Sequence, residues 1–183
     1  MKFFVQEEYF LDGRRREYRS PNEIEDSPQK TIWDPAQKEW FQETVQASDA
    51  TFKILFSPTP VVGPDREKKI DNHANKSFQN EGDWLRDYLS AQKDIYVVNG
   101  DRHWQYVSVD GKTGLMEFGS GPVSDAHAQG WDQEDLRTEH RFLRFKGGVM
   151  GIWVFREDSR PVIYSPIMIL KGNSVHEERF SES

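Results

Sequence analysis

Two stretches of the chain are apolar on neighbouring positions: Phe52, Ile54, Leu55 and Phe56, interrupted only by Lys53, and Ile95-Tyr96-Val97-Val98. Short runs rich in aliphatic, β-branched and aromatic residues, bounded by turn residues, predict strands buried on both faces. Ser57-Pro58-Thr59-Pro60 ends the first, because proline cannot extend a ladder, and Asn99-Gly100 ends the second. Ahead of each strand the period is helical. Asp34-Pro35 reads as a helix start, with Asp34 as N-cap and proline in the first turn. Ala36, Trp40, Phe41, Thr44 and Val45 share one face of a helix over 35–47, which places Trp40 in the core. Trp84, Leu85, Tyr88 and Leu89 mark a second helix over 81–92.

Past residue 104 the period becomes two. Tyr106–Val109 and Leu115–Phe118 flank Asp110-Gly111-Lys112-Thr113-Gly114, a hairpin signal. Further strands are expected over 141–145, 149–155 and 162–170, with an edge strand over 175–180. Phe3, Val5, Tyr9, Phe10 and Leu11 alternate weakly and predict a strand in the later part of that segment, ending at Asp12-Gly13. Residues 61–79 and 119–138 are long loops, and loops of that length are often functional.

The strands around Ile54 and Val97 want cover on both faces. Two helices cover only part of one, so the opposite face calls for another sheet. Left bare, it would be an association hazard.

Composition narrows the function classes. With 183 residues there is room for one domain with its own core. Aromatic residues at 13% argue for a folded domain despite 30% charged residues. The net charge of −7 argues against a nonspecific grip on nucleic acid or an anionic membrane. The absence of cysteine excludes disulfides and thiolate metal sites. No apolar run is long enough to span a bilayer, and Met1–Val5 is followed at once by Gln-Glu-Glu, which is not a signal peptide.

Candidate chemistry begins where the second apolar run ends, at Gly100-Asp101-Arg102-His103-Trp104. Ligands of open α/β sheets gather at the carboxyl ends of strands. A carboxylate and an imidazole two residues apart suit a catalytic divalent or trivalent metal. The same spacing suits an ordinary turn, with Asp101 capping backbone amides and His103 half-buried. Arg102 points away from both neighbours if the segment is extended, and is a candidate phosphate contact. Arg14, in the run Arg14-Arg15-Arg16, is another, because guanidinium matches phosphate or carboxylate geometry. A solvated loop paired with Glu17, Glu23, Glu25 and Asp26 accounts for the same arginines. His73, in Asp71-Asn72-His73, is a candidate for substrate or metal contact, as is His127 in Asp125-Ala126-His127. Neither follows an apolar strand, and either is also compatible with an ordinary surface histidine.

Gly100-Asp101-Arg102-His103-Trp104 resembles the last metal motif of the PhoD-like alkaline phosphatase/phosphodiesterase family. In the wider calcineurin-like metallophosphoesterases that place reads Gly-His-x-His. Thr51-Phe52-Lys53-Ile54-Leu55-Phe56-Ser57-Pro58-Thr59-Pro60 is similar to the preceding family strand and loop, with Ser57 and Thr59 where the wider superfamily often has a metal-binding histidine. Glu117-Phe118-Gly119-Ser120-Gly121-Pro122 resembles the Glu-Phe segment that follows the motif.

The resemblance covers most of the chain. It implies an α/β (α+β) fold, part of a four-layer α/β/β/α sandwich with a mixed sheet and antiparallel C-terminal strands. Residues 1–183 would form a single domain, the C-terminal portion of a PhoD-like metallophosphatase domain. The family's Asp-x-His, Gly-Asp-x-x-Asp and Asn-bearing motifs lie upstream and are not found here. The implied function is a metal-dependent phosphoric ester hydrolase, a phosphomonoesterase or phosphodiesterase. Asp101 and His103 would be metal ligands, while Arg102, His73 and Arg14 would contact the phosphate ester.

The complete enzyme would hold two or more metal ions, iron with calcium or other divalent ions. The expected partner is the missing N-terminal half, which would also supply the second face's cover. The isolated chain would be inactive and soluble. Any export signal of a periplasmic or extracellular parent would sit on a part outside this chain. Two other classes stay open. One is a non-catalytic binding module using loops 71–75 and 119–138. The other is a structural subunit that pairs with a separate upstream half.

Overall fold

The computed structural model describes residues 2–5 and 19–182. Arg14 and the later part of the expected N-terminal strand lie outside the described residues. In chain order the elements are β1 (Lys2–Val5), α1 (Pro35–Gln46), β2 (Lys53–Ser57), α2 (Gln79–Ser90), β3 (Ile95–Asn99), β4 (Gln105–Val109), β5 (Met116–Gly119), β6 (His140–Arg144), β7 (Val149–Met150), β8 (Trp153–Glu157), β9 (Arg160–Met168) and β10 (Ser174–Ser181). The expected single strand over 149–155 is interrupted at Gly151-Ile152, giving β7 and β8, both of which pair with β9.

A mixed sheet runs β1-β2-β3-β5-β4-β6. Strands β1, β2, β3 and β5 are parallel neighbours, while β4 is antiparallel to both β5 and β6. The hairpin β4–β5 forms as expected, but β5 inserts between β3 and β4. The connection Gly100–Trp104 must therefore arch over the end of β5, a span of two strand spacings or roughly 10 Å. This places the candidate motif on a bent crossover at the carboxyl end of a central strand.

Alternation splits β2 and β3 between two cores. Leu55, Ile95 and Val97 face the helices, where they meet Phe41, Val45, Leu85 and Leu89. Ile54, Val98 and Phe118 face the other way and meet Ile163 and Ile167, with Tyr96 and Phe180 packed alongside. The rings of Tyr96 and Phe180 stack at 5.1 Å. The sheet expected from an upstream half is thus supplied by this chain's own C-terminal strands β7–β10. The described layers are helices, mixed sheet and antiparallel sheet. The outer face of the second sheet carries Trp153 and Phe155, which are 51% and 39% exposed.

Asp34 caps α1 by accepting the Gln37 N–H at 2.9 Å. The buried stripe is Gln37, Phe41 and Val45, one residue per turn. Trp40 was expected in the core and is 44% exposed. A stripe this narrow leaves the position one residue from Phe41, about 100° around the helix, on the solvent side.

Glu81, in the first turn of α2, binds together segments far apart in sequence. Its carboxylate accepts from the backbone N–H groups of Ile32 and Trp33 and from the Thr31 hydroxyl. It also lies 2.7 Å from Lys38 Nζ and 3.0 Å from His73 Nε2. Close packing requires Gly82 here, since a Cβ would fall 2.2 Å from the His73 carbonyl oxygen.

Burial alone would raise the Glu81 carboxyl. The hydrogen bonds from His73, Lys38 and Thr31, with the His73 charge, outweigh it and bring the pKa from 4.5 to about 2. A lowered carboxyl contributes stability that is full above its unfolded value and is lost as pH falls through the folded one. The urea midpoint should therefore drop between pH 4.5 and about 2, with a loss of about 3 kcal/mol from this group. In Glu81→Gln that drop should flatten, with lower stability at neutral pH, as followed by urea titration across the pH range.

Candidate functional site

β3 ends in the buried Asn99, whose Nδ2 donates to the Tyr106 hydroxyl at 2.7 Å. That hydroxyl donates to Glu117 Oε1 at 2.8 Å. Glu117, fully buried on β5, accepts the N–H groups of Val61 at 2.6 Å, Val62 at 2.9 Å and Gly63 at 2.9 Å. Burial pushes its carboxyl above the ordinary value, against the pull of those three amides and of Tyr106. Burial and the neighbouring Glu117 charge push Tyr106 well up. The network anchors the loop leaving β2 to the ends of β3, β4 and β5, so a long loop is held fixed beside the motif.

The motif then alternates. Asp101 takes the left-handed conformation at φ 60°, which aspartate tolerates better than most residues. Asp101 and His103 are exposed, while Arg102 and Trp104 are buried. Arg102 Nη2 lies 2.6 Å from Asp65 Oδ2, with both side chains almost wholly buried. Asp65 is further satisfied by Asn72 Nδ2 at 2.7 Å and the Arg66 N–H at 2.7 Å. Arg102 Nη1 donates back to the Asp101 carbonyl at 2.8 Å and to Asp101 Oδ2 at 3.1 Å. Trp104 packs on Trp131 with ring centroids 5.2 Å apart. Two buried side chains thus alternate with two exposed ones.

Of the residues proposed from sequence, Asp101 and His103 are both exposed on one short arch. Arg102 lies on the inward side, as alternation implies, and its charge is committed to Asp65. His73 is 2% exposed, with its ring beside Glu81 and edge-on to Trp33 at 6.0 Å. His127 sits exposed in a short 3₁₀ turn, Asp125–His127. Residues that sequence reasoning did not assign to the site are Asp65, Arg66, Glu117 and Trp131. Each acts through a contact remote in sequence, which local periodicity does not carry.

A carboxylate and an imidazole, both solvent-facing, fit a hard or borderline metal ion as part of its shell. One Asp101 oxygen is engaged by Arg102, and the other has no partner among the described residues. No group of three or more His, Asp or Glu side chains that could hold a metal occurs among the described residues. Among these residues no helix is long and apolar enough to cross a membrane.

A mixed sheet backed by helices on one face and antiparallel strands on the other defines an α+β class of fold. The model of the PhoD-like phosphatase family matches residues 8–146, and the chain belongs to that family. Its members are metal-dependent. The fold is similar to a solved structure of PhoD, with TM-score 0.60 and 10% identity over 85% of this chain and 34% of that one. It is also similar to GAP50, the anchor in the inner membrane complex of Plasmodium, with TM-score 0.55 and 11% identity over 99% of this chain and 48% of that one. The chain therefore spans between a third and a half of the length of these two structures. No curated protein matches it.

Removing the guanidinium from the arch should cost more than removing the pair. Arg102→Ala leaves Asp65 charged and buried, and should lower unfolding free energy by about 3–5 kcal/mol. Adding Asp65→Asn to Arg102→Ala should recover part of that loss. Urea unfolding of the four members of the cycle measures the coupling.

Proposed function

We propose that this chain carries the last metal-binding motif of a phosphoric ester hydrolase, with Asp101 and His103 as donors. The observation that supports it most is the exposure of both side chains on the arch beyond a central parallel strand, in a chain of the PhoD-like phosphatase family. Asp101 contributes an anionic oxygen, and His103 a neutral ring nitrogen. Arg102 serves as the inward anchor that fixes the arch rather than as a phosphate contact, and Asp65 neutralises it. Glu117 positions the neighbouring loop. Asp101 and His103 would hold part of the shell of a metal ion, which would supply Lewis acidity toward the ester and its attacking water. Two donors do not complete such a centre, so the remaining ligands come from an upstream half of the PhoD type. The complete enzyme holds two or more ions, iron with calcium or other divalent ions, and takes phosphate esters.

The exposed Trp153 and Phe155 on the outer sheet face favour a second reading. In it the chain is a structural subunit that pairs with a separate upstream half without contributing to chemistry.

The chain alone should bind Mn²⁺ weakly and show no useful turnover of an aryl phosphate. Co-expression with a PhoD-type upstream half should give metal-dependent hydrolysis. In that assembly His103→Ala should lower turnover by orders of magnitude while leaving the far-ultraviolet circular dichroism unchanged, because a ligand is lost and the core is not. An assembled enzyme indifferent to His103→Ala would select the structural-subunit reading.

A further inference from the structure

Beside the arch lies a groove of about 680 Å³ whose lining includes Arg66, Lys68, Lys69, Trp131 and Arg137. We propose that this groove binds a second phosphoryl group of the substrate, which would make polyphosphorylated esters the preferred substrates; the word substrate here rests on the phosphoester reading above.

The groove adjoins the arch through three contacts. Trp104, the residue after His103, packs on Trp131 at 5.2 Å. The Arg66 guanidinium lies over the Trp104 ring at 5.5 Å from its centroid. Asp65, the residue before Arg66, holds Arg102. Successive residues of one loop thus clamp alternate residues of the arch, and they carry the cations of the groove to the motif's flank.

The charge of the lining runs against that of the chain. The whole protein is at −7, yet four cations face three carboxylates here: Glu67, Asp132 and Asp135. Asp135 is occupied by Arg137 in a two-point contact, Nε to Oδ1 at 2.5 Å and Nη2 to Oδ2 at 2.7 Å. Arg66 Nε is buried and makes no hydrogen bond, with Asp65 Oδ1 at 3.8 Å. Lys68 is exposed and has no partner among the described residues.

Space at the groove is kept by Gly130. It sits at φ 96°, and a Cβ there would come within 2.9 Å of Arg66 Nη1. Lys69 Nζ lies 3.6 Å from Asp71 Oδ2, so a part-exposed planar guanidinium at Arg66 and the exposed ammonium of Lys68 are the charges that match the tetrahedral oxygens of a phosphoryl group. The volume is that of a small-molecule site.

Isothermal titration of the full chain with inorganic pyrophosphate, at about 0.15 M salt, tests the proposal. Saturable binding is expected. It should weaken at least tenfold in Arg66→Gln/Lys68→Gln, weaken less in Arg66→Lys, and persist in Asp101→Ala. Circular dichroism and urea unfolding establish that each variant folds. No saturable binding, or binding that survives Arg66→Gln/Lys68→Gln, would overturn the groove. Equal affinity for citrate would overturn the phosphoryl assignment. Binding lost in Asp101→Ala and kept in Arg66→Gln/Lys68→Gln would place the anion on the arch instead. None of these outcomes depends on turnover, so the groove can fail while the phosphoesterase reading stands, and the reverse.

Discussion

The buried pair of Arg102 and Asp65 is the constraint on which the candidate site depends. A guanidinium and a carboxylate removed from water are costly singly and tolerable only together. Their 2.6 Å contact therefore sets which way the arch faces. With Arg102 held inside, its neighbours Asp101 and His103 are left exposed on the bent arch. The same pair fixes the loop that bears Asp65, and that loop delivers Arg66 to the ring of Trp104. One ion pair thereby links strand topology, the exposure of Asp101 and His103 and the charge of the neighbouring groove.

That pair is useful only because the ground beneath it is rigid. Insertion of β5 between β3 and β4 forces the arch, and the Asn99–Tyr106–Glu117 chain locks the strand ends under it. Glu117 does with three backbone amides what a helix N-terminus does for an anion: it gathers orphan donors around one carboxylate. The two cores on either side of β2 and β3 then hold the sheet, one against the helices and one against the chain's own antiparallel strands. On the far side, Glu81 fastens α2 to loops from both directions in the sequence. The site is a surface feature mounted on buried polar clamps.

Much of this was legible in the sequence, and the parts that were not share a cause. The apolar runs at Ile54 and Val97 marked β2 and β3 because burial on both faces leaves no polar alternation. Asp34-Pro35 marked the start of α1 to the residue, since capping is local chemistry. The turn 110–114 marked the hairpin. Its insertion between β3 and β4 was not marked, because a turn signal does not say on which side the hairpin docks. Trp40 misled because helical spacing gives a face but not its width. The sheet opposite the helices comes from β7–β10 of the same chain and not from an upstream half. Strands β7–β10 carry exposed apolar residues such as Trp153, and this blurs the inside–outside pattern that would have identified them as the cover. Asp101 and His103 stood out through their place after an apolar run. Their anchor Asp65, and the burial of His73 against Glu81, depend on pairings between distant loops that no local pattern encodes.

The central claim is that the arch presents Asp101 and His103 together as metal donors. The most direct measurement is a Mn²⁺ titration of the full chain followed by the imidazole resonances of its five histidines. The account predicts that His103 broadens first, at substoichiometric metal, and that Asp101→Ala abolishes this selectivity while the other four histidines are unaffected. Broadening led by another histidine, or a His103 response that persists in Asp101→Ala, would contradict it.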